Sequence, residues 1–172
     1  MVRHFDGGAL LAVIDGIGHG EEAAAAARVA ENAIASRPQD LPETLVVRCH
    51  EALHHTRGVV LSIASINLRR ASLSWLGIGN VRALVHHRGV PPTREELLLR
   101  GGVVGGAGLP NLRASDISLR ELDTVIFATD GIRPQFADAL EFGGSPQSVA
   151  DEILAGYCHG GDDALVLVAR AS

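Results

Sequence analysis

The sequence predicts an α+β fold in which helices pack on largely antiparallel sheets. Two helical segments follow one another between residues 21 and 55, and from Gly58 onward the pattern changes to short β-branched runs separated by turns. Strands therefore neighbour strands, with little of the strand–helix–strand alternation that predicts a parallel sheet. With 172 residues and 47% hydrophobic composition, the chain is expected to form a single domain, residues 1–172, around one core.

The first part of the chain is predicted to contain a strand and two helices. Residues 9–14 (ALLAVI) are a continuous apolar run, which is typical of a strand buried on both faces. The Ala-rich segment 21–36 favours a helix with acidic residues in its first turn. A second helix is expected to begin after Asp40, with Asp40 and Glu43 spaced as a capping box, and to run to about His55.

Strands dominate the rest of the chain. They share roughly alternating, β-branched patterns with turn residues between them. Their predicted ranges are 59–68, 71–79, 81–87, 114–119, 124–129 and 164–169. The first three are expected to form an antiparallel meander. Segment 101–110, with five glycines and a proline, predicts a mobile loop, and Ser145-Pro146 predicts the start of a helix that runs to about Tyr157.

Charge and cysteine content argue against several classes of protein. The net charge is −5, and no Lys/Arg cluster is interleaved with aromatic residues, so no nucleic-acid partner is expected. No apolar run approaches the roughly 18 residues that span a bilayer, which predicts a cytoplasmic protein without membrane contact. Cys49 and Cys158 lie far apart and form no CxxC, so reduced thiols are expected rather than a disulfide or a thiolate zinc site.

Aspartate stands beside glycine at the ends of three predicted strands. These acidic corners are Asp15-Gly16, Asp130-Gly131 and Gly161-Asp162-Asp163. Glycine lets a backbone approach a ligand closely. One Asp-Gly pair is typical of an ordinary turn, whereas three at strand ends raise the hypothesis that the fold brings them together.

Four aspartates in one pocket would require cations. Two carboxylates at ~4 Å repel each other by about 4 kcal/mol at an effective dielectric constant of 20. Two divalent ions would cancel four negative charges, and ligation by oxygen alone favours Mg²⁺ or Mn²⁺ over Zn²⁺. Such a pair of ions can hold a phosphate and activate a water molecule, so the corners predict hydrolysis of a phosphomonoester.

Four motifs, in this order, resemble the SpoIIE-like branch of the PPM-type serine/threonine phosphatases. They are VIDGIGHG before an Ala-rich helix, GNVRALV, FATDGI and the terminal GDDALVLV. The resemblance extends from Leu10 to Val168 and implies the αββα sandwich of that family, two antiparallel sheets flanked by helices. It also implies a metal-dependent phosphatase whose substrates are phosphoserine or phosphothreonine in STAS-domain proteins, either anti-sigma antagonists or stressosome proteins.

The same resemblance implies a role for each acidic corner. Asp15 would bridge two Mn²⁺ or Mg²⁺ ions, and Gly16 would offer its backbone carbonyl to one of them. Asp130 and Asp162 would each hold the ion that Gly16 does not ligate, and Asp163 would be an auxiliary ligand. Asp15, Asp130 and Asp162 are therefore the predicted catalytic residues.

The chain also departs from the family pattern. Family members carry a preceding strand with Gly-Asp, and the sequence predicts that this first strand is missing, with Asp6-Gly7 as the turn into the next strand. No arginine stands where the resemblance assigns phosphate binding, and His19 is expected to face solvent in a turn. A catalytically weak pseudophosphatase that acts as a regulatory binding module is therefore the alternative.

A second alternative comes from residues 50–54, which read HEALH and match the HExxH signature of zinc metalloproteases. No third ligand follows in a suitable arrangement, so this alternative is the weaker one. The pairs His54-His55 and His86-His87 are expected to be exposed helix and strand ends. No GxxxxGK[ST] motif and no Cys-x₅-Arg loop occur, which argues against nucleotide-binding P-loop proteins and cysteine phosphatases.

Overall fold

The chain divides into two compact units. The computed structural model describes residues 1–139, 143–161 and 163–171. The first unit comprises Met1–Val81 and Leu98–Ser118, and the second comprises Arg82–Leu97 and Leu119–Ser172. No helix within the described ranges is long and apolar enough to cross a membrane. The prediction of a single domain stays a prediction.

Each unit contains one antiparallel sheet and its helices. In chain order the elements are β1 (Val2–Phe5), β2 (Gly8–Gly16), α1 (Glu21–Ala35), α2 (Pro42–Ala52), β3 (Val59–Asn67), β4 (Ser72–Ile78), β5 (Arg82–His87), β6 (Thr93–Glu96), β7 (Ser115–Ser118), β8 (Thr124–Ala128), α3 (Phe136–Ala139), α4 (Pro146–Tyr157) and β9 (Val166–Arg170). The first sheet has the strand order β1-β2-β3-β4-β7, and the second has β6-β5-β8-β9. The strands pair antiparallel throughout both sheets. Two antiparallel sheets with helices confirm the predicted α+β class.

In the first unit, α1 and α2 cover one face of the sheet. Small buried residues of α1, such as Ala26 and Ala30, let the helix lie close to the strands, and Leu10 and Ala12 of β2 join the same buried cluster. Because side chains alternate along a strand, Asp15 shares the opposite face of β2 with the odd-numbered positions. The helices thus fix β2 while leaving the carboxylate of Asp15 outside their core.

In the second unit, α4 packs on the sheet formed by β6, β5, β8 and β9. Leu84, Ile126 and Phe136 form a buried cluster with Val149 and Ile153 of α4. The start of α4 is the predicted one, because the side chain of Ser145 accepts a hydrogen bond from the backbone N–H of Ser148 and Pro146 follows at the first helical position.

The predicted meander is wrong at its third strand. β4 pairs with β3 and β7, whereas β5 pairs with β6 and β8 in the other sheet. The turn signal at Gly79-Asn80 marks the end of β4 correctly, but local sequence carries no information about which sheet the next strand joins. The pairing of β5 is decided by its long-range ladder to β8, in which Arg82 lies opposite Ala128.

The prediction that the first strand is missing is also wrong. Val2–Phe5 form β1, which pairs with β2 through a turn at Asp6-Gly7, and that turn is the predicted one. β1 is short and mostly exposed at the sheet edge, so it shows no alternating apolar pattern. It contains neither glycine nor an acidic residue.

The predicted capping box does not form. Leu41 is the N-cap of α2 and makes no side-chain capping bond. Asp40 pairs instead with Arg48, and Glu43 accepts a hydrogen bond from the backbone N–H of Ala114 at 2.7 Å. The helix ends at Ala52, earlier than predicted. Both acids have the right spacing for a cap, but tertiary partners compete for them.

Two further predictions need adjustment. β6 was not predicted, because all four of its residues are exposed and three are charged, which leaves no apolar alternation in the sequence. Segment 101–110 is irregular as predicted, but Val104 is fully buried and exchanges two backbone hydrogen bonds of 2.9 Å with Val59. The loop is therefore anchored at its middle.

Candidate active site

The first acidic corner lies at the end of β2. The ladder between β2 and β3 pairs Asp15 with Val60 and Gly16 with Val59, so the corner is held by regular backbone hydrogen bonds up to its last residue. Asp15 is half-buried. Its position places a carboxylate at the end of an interior strand of a rigid sheet, which suits a ligand-binding residue.

Gly16 is required by the close approach of α1. A Cβ atom at this position would overlap with the carbonyl oxygen of Ala23 and lie 2.9 Å from its Cα. The backbone continues into the turn, where the N–H of Ile17 donates to the carbonyl oxygen of Gly58 at 3.1 Å. The turn after Asp15 is thus fixed on one side by α1 and on the other by the start of β3.

The second corner follows β8 in the other unit. The N–H of Thr129 donates to the carbonyl oxygen of Leu165 at 3.1 Å, and the N–H of Leu165 donates to Thr129 Oγ1 at 2.9 Å. Asp130 comes next and is exposed. These reciprocal bonds tie the Asp130 corner to the segment that enters β9.

Gly131 brings the second corner and Asp163 together. A Cβ atom at Gly131 would overlap with the carbonyl oxygen of Asp163 and lie 3.0 Å from its carbonyl carbon. The approach of a ligand to Gly131, which the sequence predicts, stays a prediction; the contact observed here is between two backbone segments. The Asp130-Gly131 turn and Asp163 are therefore neighbours within the second unit.

The end of α4 supports this corner through backbone contacts that the sequence did not reveal. The N–H of His159 donates to the carbonyl oxygen of Gly131 at 2.9 Å, and that of Arg133 donates to the carbonyl oxygen of Tyr157 at 2.8 Å. The Arg133 guanidinium also lies over the Tyr157 ring, 5.9 Å from its centroid. Backbone hydrogen bonds of this kind do not depend on side-chain identity, so no sequence pattern reveals them.

The predicted metal ligands belong to different parts of the chain. Asp162 lies outside the described residues. Asp15 and Gly16 belong to the first unit, whereas Asp130 and Asp163 belong to the second, so their union in one site stays a prediction. Among the residues that the structure describes, no group of three or more His, Cys, Asp or Glu side chains converges as a metal cluster. The predicted donors are carboxylate and carbonyl oxygens, and this chemistry fits Mg²⁺ or Mn²⁺.

The HExxH segment is engaged in structural contacts. The backbone N–H of Gly105 donates to His50 Nδ1 at 3.0 Å, which leaves the proton of neutral His50 on Nε2 and uses its available lone pair. His54 lies beyond the end of α2, with its ring 5.2 Å from that of His50. A zinc site would need a free lone pair on each ring, so this geometry argues against a metalloprotease.

The cysteines behave as the sequence predicts. Cys49 and Cys158 are both free. Cys49 is fully buried in the first unit, and burial raises the pKa of its thiol to about 12. A thiol with this pKa is neither a nucleophile nor a metal ligand at neutral pH.

The prediction that His86 and His87 form an exposed strand end is wrong. His87 is largely buried between two carboxylates, 2.7 Å from Asp123 and 3.2 Å from Glu95. Asp123 is completely buried and also accepts hydrogen bonds from the backbone N–H groups of Arg120 and Arg88. Burial alone would raise the pKa of Asp123, but these hydrogen bonds outweigh it and hold the pKa below its ordinary value. This cluster fixes β5 to the turn before β8.

A family model described as Stage II sporulation protein E (SpoIIE) matches residues 6–172. The chain belongs to the SpoIIE family. The phosphoserine phosphatase RsbX of Bacillus subtilis (strain 168) is 29% identical over 77 residues, which are 45% of this chain and 39% of RsbX. The aligned region thus spans less than half of this curated relative.

Solved structures show the same fold. A structure from work on the bacterial stressosome, described as a modular system adapted to control secondary messenger signaling, superposes with a TM-score of 0.87 and 27% identity, covering 99% of this chain and 88% of that one. The crystal structure of RsbX in complex with magnesium superposes with a TM-score of 0.84 and 22% identity, covering 97% and 82%. The fold is that of the PPM-type serine/threonine phosphatases, as the motifs predicted.

Proposed function

We propose that the chain is a protein serine/threonine phosphatase that depends on Mn²⁺ or Mg²⁺ and acts on phosphorylated STAS-domain proteins. Membership of the SpoIIE family supports the phosphatase reaction, and RsbX is named a phosphoserine phosphatase. The likeness to a structure from stressosome work supports a STAS-domain substrate.

The observation that carries the proposal is the contact between the Asp130 corner and Asp163. Gly131 packs against the backbone of Asp163 where no side chain would fit, so two acidic positions distant in sequence become neighbours. If both carboxylates face a common ligand, their mutual repulsion would require a cation. The backbone contact between the Asp130 turn and Asp163 therefore supports the proposal that both residues contribute to a cation site.

Residues of both units would hold the two ions. The carboxylates of Asp15, Asp130, Asp162 and Asp163 and the backbone carbonyl of Gly16 would hold them. When bound, the ions would supply Lewis-acid activation of water and neutralise charge on the phosphate. The rigid strand end and the braced turn orient their carboxylates before substrate binds, which lowers the cost of reorganisation.

The first experiment is hydrolysis of p-nitrophenyl phosphate with Mn²⁺, with EDTA, and by the variants Asp15→Asn and Asp130→Asn. Turnover is expected only with metal, and each variant should lose it. Asp151→Asn is the matched control, because Asp151 is an exposed aspartate of α4 that accepts a hydrogen bond from Gln147 in its own helix. An active Asp130→Asn enzyme would overturn the site assignment. Absent turnover with no Mn²⁺ binding would favour the pseudophosphatase.

The second experiment compares protein substrates at equal concentration. A STAS domain phosphorylated on serine or threonine is expected to be hydrolysed with higher kcat/KM than a phosphoserine peptide of the same local sequence. Equal values for the domain and the peptide would contradict a STAS-specific substrate while leaving the phosphatase reaction intact.

A further inference from the structure

Arg57 lies directly against the turn that follows Asp15. The ladder pairs Asp15 with Val60 and Gly16 with Val59, and the bond from Ile17 N–H to the Gly58 carbonyl continues the same register. The next pair in this register sets Gly18 opposite Arg57. A Cβ atom at Gly18 would lie 2.9 Å from Arg57 Nη1, so the missing side chain leaves room for the guanidinium.

The guanidinium is held near the turn and remains accessible. Arg57 Nη2 forms an ion pair of 2.5 Å with Glu22 Oε2 on the first turn of α1. The two side chains are 54% and 69% exposed, so solutes in water can reach them. An exposed ion pair contributes little to stability, and its cost of opening is small. Glu22 therefore positions Arg57 without sequestering it.

The position matters because a phosphomonoester dianion would approach a carboxylate. Asp15 repels such a substrate, and the Arg57 cation opposite Gly18, in the turn that follows Asp15, would offset part of that repulsion. The planar guanidinium donates two parallel N–H bonds to phosphate oxygens, a geometry that lysine cannot reproduce. Two other arginines of the same unit form ion pairs elsewhere. Arg3 pairs with Glu31 of α1, and Arg48 pairs with Asp40 before α2.

We infer that Arg57 binds the phosphate group of the substrate beside the Asp15 corner, exchanging Glu22 for the phosphate oxygens. The inference rests on the proposed function and adds a phosphate-binding residue at a position that the family motifs do not assign. Because the contact exists before and after cleavage, Arg57 contributes to the binding of both substrate and product. Its loss raises KM and the inhibition constant of inorganic phosphate.

The test uses the full chain with saturating Mn²⁺ and the variants Arg57→Ala, Arg57→Lys and Glu22→Gln. Arg57→Ala is expected to raise KM for p-nitrophenyl phosphate and the inhibition constant of inorganic phosphate roughly tenfold or more, since hydrogen bonds to charged groups are among the strong ones. The KM and the inhibition constant of Arg57→Lys should fall between those of the wild type and those of Arg57→Ala. Arg3→Ala is the control, because Arg3 forms a similarly exposed ion pair with Glu31 of the same helix.

Glu22→Gln separates phosphate binding from bracing of the turn. If Arg57 binds phosphate, this variant keeps or tightens phosphate affinity, because the competing carboxylate is gone. If Arg57 only braces the turn through Glu22, then Glu22→Gln will reproduce the defect of Arg57→Ala, and the inference is wrong. An unchanged inhibition constant in Arg57→Ala also overturns it.

Phosphate binding measured by calorimetry keeps the two proposals apart. A wild-type protein without turnover would contradict the proposed function, yet weaker phosphate binding by Mn²⁺-loaded Arg57→Ala would still support the residue assignment. An active wild type with equal phosphate affinity in Arg57→Ala would contradict the assignment alone. Equal melting temperatures of the variants would exclude misfolding as the cause of a difference.

Discussion

Replacing Gly131 by alanine is expected to damage the second acidic corner in a way that the structure allows us to estimate. The new methyl group would overlap with the carbonyl oxygen of Asp163, and 3.0 Å would separate it from the carbonyl carbon. An ordinary carbon–carbon contact is about 3.5–4.0 Å, so the two backbone segments must move apart by roughly 0.5–1 Å. Misplacement by about 1 Å can reduce a catalysed rate by about 100-fold. Such overpacking costs about 1–3 kcal/mol of stability.

The assay pairs metal-dependent hydrolysis of p-nitrophenyl phosphate with thermal unfolding. Gly131→Ala should lose about two orders of magnitude in kcat/KM and melt a few degrees lower, since 1 kcal/mol shifts the melting temperature by about 2–4 °C in a chain of this size. Gly156→Ala is the control, because among the described residues no atom outside the neighbouring backbone of α4 lies within 4 Å of a Cβ atom at Gly156. A Gly131→Ala protein with wild-type activity and stability would refute the argument that this contact shapes the site.

Three other outcomes are expected. Asp123→Ala should lower the free energy of unfolding in urea by about 3–5 kcal/mol, because it leaves the hydrogen-bond donors around a buried carboxylate unpaired. The folded-state pKa of Asp123 is below the ordinary 3.8. The stability difference between the wild type and Asp123→Ala is therefore present above about pH 4 and is lost as the pH falls through the folded-state pKa. A stability difference that widens in acid would contradict this expectation. Ellman's reagent at pH 8 should leave Cys49 unmodified until the protein unfolds, because a pKa of about 12 leaves roughly one thiolate in ten thousand. His54→Ala should keep full Mn²⁺-dependent turnover, whereas zinc that binds the wild type and is lost in His54→Ala would favour the metalloprotease alternative.

Elements with strong local signals could be predicted from the sequence. The Ala-rich composition of α1, the apolar run of β2 and the Ser145-Pro146 start of α4 each specify their element without help from distant residues. The acid–glycine corners were visible for the same reason.

Features decided by long-range contacts could not be predicted. β5 joins the second sheet because of its ladder to β8, and β6 is an exposed, charged edge strand that the ladder to β5 alone defines. Asp40 and Glu43 have capping-box spacing, yet Arg48 and the backbone of Ala114 bind them instead. Arg57 could not be identified from the sequence, because its place opposite Gly18 follows from the register of β2 and β3 rather than from any motif.

The proposed function requires that Asp15 and Asp130 hold the same pair of ions. Calorimetric titration of Mn²⁺ into the wild type, Asp15→Asn, Asp130→Asn and the double variant tests it most directly. Two ions should bind the wild type, and the two substitutions should be strongly non-additive, because either one dismantles a shared site. Independent, additive losses, or Mn²⁺ binding unchanged in Asp130→Asn, would contradict a single two-metal centre.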